Sequence, residues 1–384
     1  MIQRIWGDRR KKLVAVGAGV AILALVAAGL MVTLGASGGT SATPTPLISA
    51  ANSPSDMPSA SASASAEPSA SDSFATASTI PAGWVYSDLD GVAAPPELAH
   101  RLPMAIMVDD NAIARPQSGF SSASIVIQAM ADGGEDRYMM IFQEGSATDI
   151  GPVRSARPYF VYWATEYKAL FGHFGGDAES LQQVIPAMSR YLYNEDDLSG
   201  GACPYHRVST RPAPHNAYTN SNVLISCAAK RGYPATYQNL PVRTFVDPEA
   251  DYLRPAAQTI NIPYRSGAIG YRYDPATDTY LRVVNSTVQV DPANKQQLHV
   301  ANVVVLFQSY AMAPGLDEMR PYVGNIGSGQ AIVYQEGRAI KGTWKKTTKT
   351  ALTRVYDSSG NEIPMVRGQI FIQSVPIGTK VTPQ

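Results

Sequence analysis

The segment Gly151-Pro152-Val153-Arg154-Ser155-Ala156-Arg157-Pro158 puts two arginines into a loop bounded by glycine and proline, just before residues with helical spacing. Guanidinium forks together with the free N–H groups of a helix start suit a phosphate or a carboxylate. Arginines at that end of a helix oppose its dipole unless an anion compensates, which is what points to a ligand. The alternative is structural: the same two side chains can pair with Asp109, Asp136 or Glu144 and hold the loop.

Other residue types extend the pattern. Asp109 and Asp110 follow an apolar run, and Arg115 sits in the turn-like Arg115-Pro116-Gln117-Ser118-Gly119, where it either fixes a bend or adds a third positive charge. His173 lies in a short apolar stretch, either held by a backbone carbonyl or chemically active. His215 stands beside Asn216 and Tyr218 in a proline-rich loop with the same two readings. Arg115, Arg154, Arg157, His173, His215, Asn216 and Asp109 form the candidate ligand set. Ser155 can act as a nucleophile with His173 or His215 as base, or simply cap the helix, and no nucleophile-elbow pattern surrounds it. His206, Arg207 and Arg211 read as a lid or rim. No cofactor signature is found.

These residues need elements to carry them. Met104–Val108, Ser124–Met130, Tyr138–Gln143 and Leu170–Phe174 read as buried strands. Tyr159–Lys168 reads as a helix with Pro158 in its first turn, and Asp177 caps a second that stops at Pro186. Strands alternating with helices predict an α/β layered domain, and the candidate residues fall at strand ends, where open α/β sheets bind ligands.

Beyond about residue 256 the helix signals fade. Thr259–Tyr264, Tyr280–Val284, Asn302–Gln308 and Ile370–Val375 read as strands separated by turn residues, predicting a mainly antiparallel β domain built as a sandwich or partly closed barrel. Trp344, Lys345 and Lys346 read as an exposed basic strand. The fold class is therefore α+β, with an α/β domain at 80–255 and a β domain at 256–384.

The N-terminal part has a different texture. A basic stretch, residues 1–12, precedes an uncharged run at 13–34 long enough to cross a bilayer, and this predicts a single-pass anchor with the rest of the chain outside the cell. A cleaved signal peptide is the competing reading. No cysteine follows the run closely, so a lipid-modified N-terminus is not expected. Residues 35–79, rich in Ser, Ala, Thr and Pro, read as a disordered tether. Lysines and arginines balance acidic residues at 31 each, which gives no electrostatic case for nucleic acid and requires any anion site to be local. The two cysteines, Cys203 and Cys227, read as a disulfide or as two unrelated thiols; zinc with His206 and His215 lacks paired Cys-x-x-Cys spacing.

In order and spacing, Arg115-Pro116-Gln117-Ser118-Gly119, Gly151-Pro152-Val153-Arg154-Ser155-Ala156-Arg157 and Pro214-His215-Asn216-Ala217-Tyr218 resemble the N-terminal domain of the YerB-like proteins. Gly327-Ser328-Gly329 and Gly342-Thr343-Trp344-Lys345-Lys346 resemble that family's C-terminal domain. The resemblance implies a bacterial envelope protein of two domains, often a lipoprotein in other members, with no assigned chemistry.

Three functions fit. The first is a binding module for an anionic envelope component such as a wall polymer or glycan. The second is an enzyme acting on an envelope phosphoester or glycan, with Asp109 or Asp110 holding a divalent metal. The third is a structural partner in an envelope complex.

Overall fold

Three apolar runs form neighbouring strands: β1 (Met104–Asp109), β2 (Ile125–Met130) and β3 (Asp136–Phe142). They are buried on both faces, which is why their sequences run apolar without alternating. The computed structural model describes residues 80–196, 205–237, 239–250, 253–256, 258–312 and 320–383. Helix α1 (Pro158–Ala164) leads to β4 (Leu170–His173), β5 (Tyr193–Asp196) and helix α2 (Ser221–Lys230). The helix expected to stop at Pro186 instead continues to Met188, with a π-helical stretch over Ser180–Val184 directly before the proline, whose ring nitrogen has no N–H to give to the ladder.

The C-terminal region is almost entirely β: β6 (Thr259–Tyr264), β7 (Gly267–Asp274), β8 (Thr279–Val284), β9 (Asn302–Met312), β10 (Gly327–Gln335), β11 (Arg338–Lys346), β12 (Arg354–Asp357) and β13 (Ile370–Pro376). Strands β6–β8 form an antiparallel meander. The later strands close no barrel, and although they share a buried core with the meander they do not form a separate sheet opposite it. They continue the sheet of the N-terminal region in the order β12-β11-β10-β9-β13-β2-β3-β1-β4-β5. Strand β13 makes the join, parallel to β9 on one side and to β2 on the other. A strand buried on both faces reads the same in sequence whichever sheet it enters, so this pairing left no trace.

The shared sheet is covered on both sides. Ile106 and Val108 of β1 belong to one core with Leu224 and Cys227 of α2 and with Ile269 and Tyr271 of the meander. Ala105 and Met107 point the other way, onto Phe160 and Trp163 of α1. In β11 the alternation places Trp344 and Lys346 inward and leaves Lys345 exposed, which corrects the expectation of a basic outer strand. The Trp344 indole donates to the Phe307 carbonyl at 3.0 Å.

The expected single-pass topology is also corrected. Among the described residues no helix is long and apolar enough to cross a membrane. The α-helix α2, for example, has ten residues and spans about 15 Å, half of a hydrocarbon core of about 30 Å. An uncharged run makes a span only when it forms a continuous helix that satisfies its own backbone. Residues 13–34, the basic 1–12 and the tether 35–79 lie outside the described residues. The membrane partner and membrane localisation that rested on this anchor are not carried forward.

Between the meander and the shared sheet lies a polar interior. Arg282 of β8 is completely buried and donates to Gln128 Oε1 (2.7 Å), the Tyr138 hydroxyl (3.2 Å) and the Tyr271 hydroxyl (3.1 Å). Asp136 receives Gln128 and Ser266 there, and burial, then the neighbouring charge of Asp110, pushes its pKa up to about 7. Asp90 is likewise pushed up to about 7 by burial and then by Glu144. A carboxyl raised above its ordinary 3.8 keeps its proton in the folded chain after the unfolded chain has lost it, so folding binds protons. The thermal midpoint should therefore fall as pH rises from about 4 to about 7. Asp136→Asn, which mimics the protonated group, should raise the midpoint at the alkaline end and flatten this slope. Calorimetry across that range checks it, and an unchanged slope refutes the assignment.

Candidate functional site

Asp109 ends β1 and carries the centre of the site. Its Oδ2 lies 3.1 Å from Arg154 Nε and 2.6 Å from His215 Nδ1, so one nearly buried carboxylate holds two groups from distant segments. The chain geometry that delivers Arg154 is local: Arg154 N donates to the Met107 carbonyl, and Asp109 N donates to Pro152 O, fastening the Gly-Pro loop along β1. Asp110 points the other way into the interior, where Arg115 Nε (2.8 Å) and Gln117 Nε2 (2.9 Å) donate to its Oδ1. Burial raises the Asp110 pKa, with Arg115 and Arg282 opposing.

The segment His206–Tyr218 completes the arrangement. The Asn216 side chain accepts from Arg207 and donates to the carbonyls of Val208 and Arg211. Arg211 donates to Ala114 O and Pro116 O, locking this segment to the Arg115 loop. Arg207 lies over the Phe174 ring, 4.5 Å from its centroid, and Phe174 N donates to Arg154 O. Arg115, Arg154, Arg207 and Arg211 thus belong to one connected surface, all at least partly exposed. Among the described residues its direct carboxylate contacts are Asp109 and Asp110; Asp149 feels His206 and Arg211 at longer range.

Two candidate residues stand apart. Arg157 donates to Asp132 and lies 3.5 Å from Asp177, in a flanking cluster where Asp132 also meets Arg137 (2.9 Å) and Arg320 (3.8 Å). Burial works against ionisation of Asp132, but Arg157 and Arg137 outweigh it and hold the carboxyl below its usual range. His173 is fully buried, with Nδ1 2.8 Å from Gly175 O and Nε2 2.8 Å from Asn194 Oδ1. Both ring nitrogens are occupied, which describes a structural histidine. Ser155 Oγ donates to Phe174 O and contacts neither His173 nor His215. Sequence reasoning set Arg207 and Arg211 aside as a rim, yet they join the central group. It missed Gln117 and Arg282 altogether, since neither carries a motif beyond the Arg-Pro-Gln-Ser-Gly turn.

No group of three or more His, Cys, Asp or Glu among the described residues is arranged to hold a metal. The two carboxylates of the metal-assisted reading are engaged by Arg154 and His215 and by Arg115 and Gln117. Cys227 is buried on α2 and is not a free thiol, while Cys203 lies outside the described residues.

Comparison with known proteins places these features in a family. Residues 89–234 match the N-terminal domain, and residues 260–372 the C-terminal domain, of a family described as "Protein of unknown function (DUF3048)". A relative from Bacillus subtilis (strain 168), named "Putative lipoprotein YerB", is 28% identical over 294 residues, covering 75% of this chain and 85% of that protein. The crystal structure of YerB protein from Bacillus subtilis superposes with a TM-score of 0.70 at 24% identity over 78% of this chain and 99% of that one, a likeness in fold. Carrying both domains in order, this chain belongs to the two-domain YerB-like (DUF3048) family of unknown function.

Proposed function

We propose that the protein binds an anionic ligand of the cell envelope at the surface formed by Arg115, Arg154, Arg207, Arg211 and His215. The observation that carries this reading is the pairing of Arg207 and Arg211. Among the described residues their hydrogen bonds go to neutral groups, the Asn216 side chain and the carbonyls of Ala114 and Pro116, and no ion pair neutralises either charge directly. Arg154 and His215 share a single carboxylate, which leaves that corner short of negative charge whenever the imidazole is protonated. Guanidiniums already oriented by their neighbours lose little freedom on meeting a phosphate or carboxylate. The envelope setting is supported by the relative whose name calls it a lipoprotein. The disulfide between Cys203 and Cys227 belongs to the same proposal, tying α2 to the segment before His206.

Arg207→Ala combined with Arg211→Ala removes two positive charges without orphaning a buried carboxylate. Affinity for poly(glycerol phosphate), measured by calorimetry at low salt, should drop about thirtyfold, since two charge-assisted contacts of about 1 kcal/mol each are lost at a surface. Circular dichroism should be unchanged. Full affinity in the double variant refutes the reading.

A further inference from the structure

A cavity of about 440 Å³ opens beside Arg115, between the Arg115–Gln117 turn of the N-terminal region and the Val284–Val290 hairpin of the C-terminal region. We propose that this cavity takes the sugar ring of an acidic saccharide, so that the preferred anionic ligand of the preceding section carries a sugar ring beside its charged group. This rests on the anion-binding reading and adds the chemistry of the uncharged part.

Two buried amides carry the inference. Gln117 and Gln289 both line the cavity, and in each the Oε1 is buried with no hydrogen-bond partner. For Gln117 the assignment follows from its neighbours: Nε2 donates to the Asp109 carbonyl and to Asp110 Oδ1, acceptors both, so the oxygen is the atom left over. Gln289 makes no side-chain hydrogen bond at all among the described residues. Buried polar atoms are nearly always satisfied, so the Gln117 oxygen calls for a ligand that brings a donor, and the Gln289 amide, whose two ends no hydrogen bond tells apart, can meet the same ligand as acceptor or donor. Sugar hydroxyls and acetamido N–H groups are such donors.

The rest of the wall fits the same ligand. Arg115 spends Nε and Nη2 on Asp110, while Nη1 makes no hydrogen bond among the described residues and is left for a carboxylate or phosphate. Val284, Val288 and Val290 give an apolar side against which the C–H face of a pyranose can lie. The hollow is also built in advance. Asn285 and Ser286 both take positive φ in a two-residue turn that pairs Val284 with Thr287 and Val283 with Val288. Asp291, just past the hairpin, accepts from Gly119 N (3.3 Å) and Ser121 N (2.8 Å) and so clamps the two walls together.

The test compares three probes by calorimetry on the full chain: trigalacturonate, the N-acetylglucosamine–N-acetylmuramic acid disaccharide, and poly(glycerol phosphate). At least one saccharide should bind, and its fully methyl-esterified form should bind about tenfold more weakly if the Arg115 contact is made. Val288→Trp fills the hollow from a half-exposed position, and should weaken saccharide binding by at least about tenfold while poly(glycerol phosphate) stays within about twofold. Gln289→Leu should weaken the saccharide about fivefold. Failure of both saccharides to bind, or saccharide binding indifferent to Val288→Trp and Gln289→Leu, overturns the proposal. Poly(glycerol phosphate) binding that survives the arginine double variant, beside Val288-sensitive saccharide binding, sinks the surface reading and leaves the cavity standing.

Discussion

Lys346→Ala should cost about 3–5 kcal/mol of stability, the range for breaking one side of a buried ion pair. Lys346 is completely buried, and its Nζ donates to Glu166 Oε1 (2.7 Å), Tyr162 O (2.9 Å) and Ala351 O (2.9 Å). Burial pulls the lysine pKa down, and Glu166 opposes this. Glu166 in turn accepts from Thr353 N and Thr353 Oγ1, so the pair closes a network joining the end of α1 to the turn after β11. Truncation leaves a buried carboxylate and two carbonyls without a cation. The exchange Lys346→Met with Glu166→Leu, which often restores stability at isolated pairs, should recover only part of the loss here, because Thr353 and the two carbonyls stay unsatisfied. Urea denaturation of the single and double variants decides the matter: full recovery in the double variant would show that those backbone partners contribute nothing.

Arg282→Ala should be of similar size, about 3–5 kcal/mol, but for a different reason. Among the described residues no carboxylate forms an ion pair with this guanidinium. Burial opposes its charge, yet Tyr138, Tyr271 and Asp110 more than offset that, and the group stays protonated. The rings of Tyr138, Tyr271 and Phe371 surround it at 5.3–5.6 Å from their centroids. Removing it strips Gln128 and two hydroxyls of their partner and takes a compensating charge from Asp110, while opening a void between the meander and the shared sheet. Arg282→Lys should rescue little, since a point charge cannot serve three acceptors in one plane. The denaturant midpoint should drop in both variants, and a lysine variant of full stability would refute the planar-network account.

Much of the local structure was legible. The strands at Met104, Ile125, Thr259 and Ile370 declare themselves because a run of apolar and β-branched residues bounded by turns has few other uses. The Gly-Pro-Val-Arg-Ser-Ala-Arg loop declared itself through crowded charge. What could not be read was which charge meets which. Asp109 takes Arg154, whereas Arg157, three residues on, turns to Asp132 and Asp177, because the backbone between them reverses the side on which a side chain emerges. Lys346 looked like a surface cation since lysine usually is one, and only the period of two, fixed by its neighbours in β11, sends it inward. The meeting of Gln117 with Gln289 depends on tertiary closure alone and leaves no mark in either segment.

The position of β13 has a bearing on biosynthesis. Ile370–Pro376 is among the last strands of the described chain to be made, yet it inserts between β2 and β9 in the middle of the sheet. Until it emerges, a nascent chain holds two long apolar borders with unpaired amides, the kind that invite self-association. Truncation before residue 370 should therefore produce aggregates rather than a shortened soluble protein, and folding of this chain must tolerate a late-closing seam.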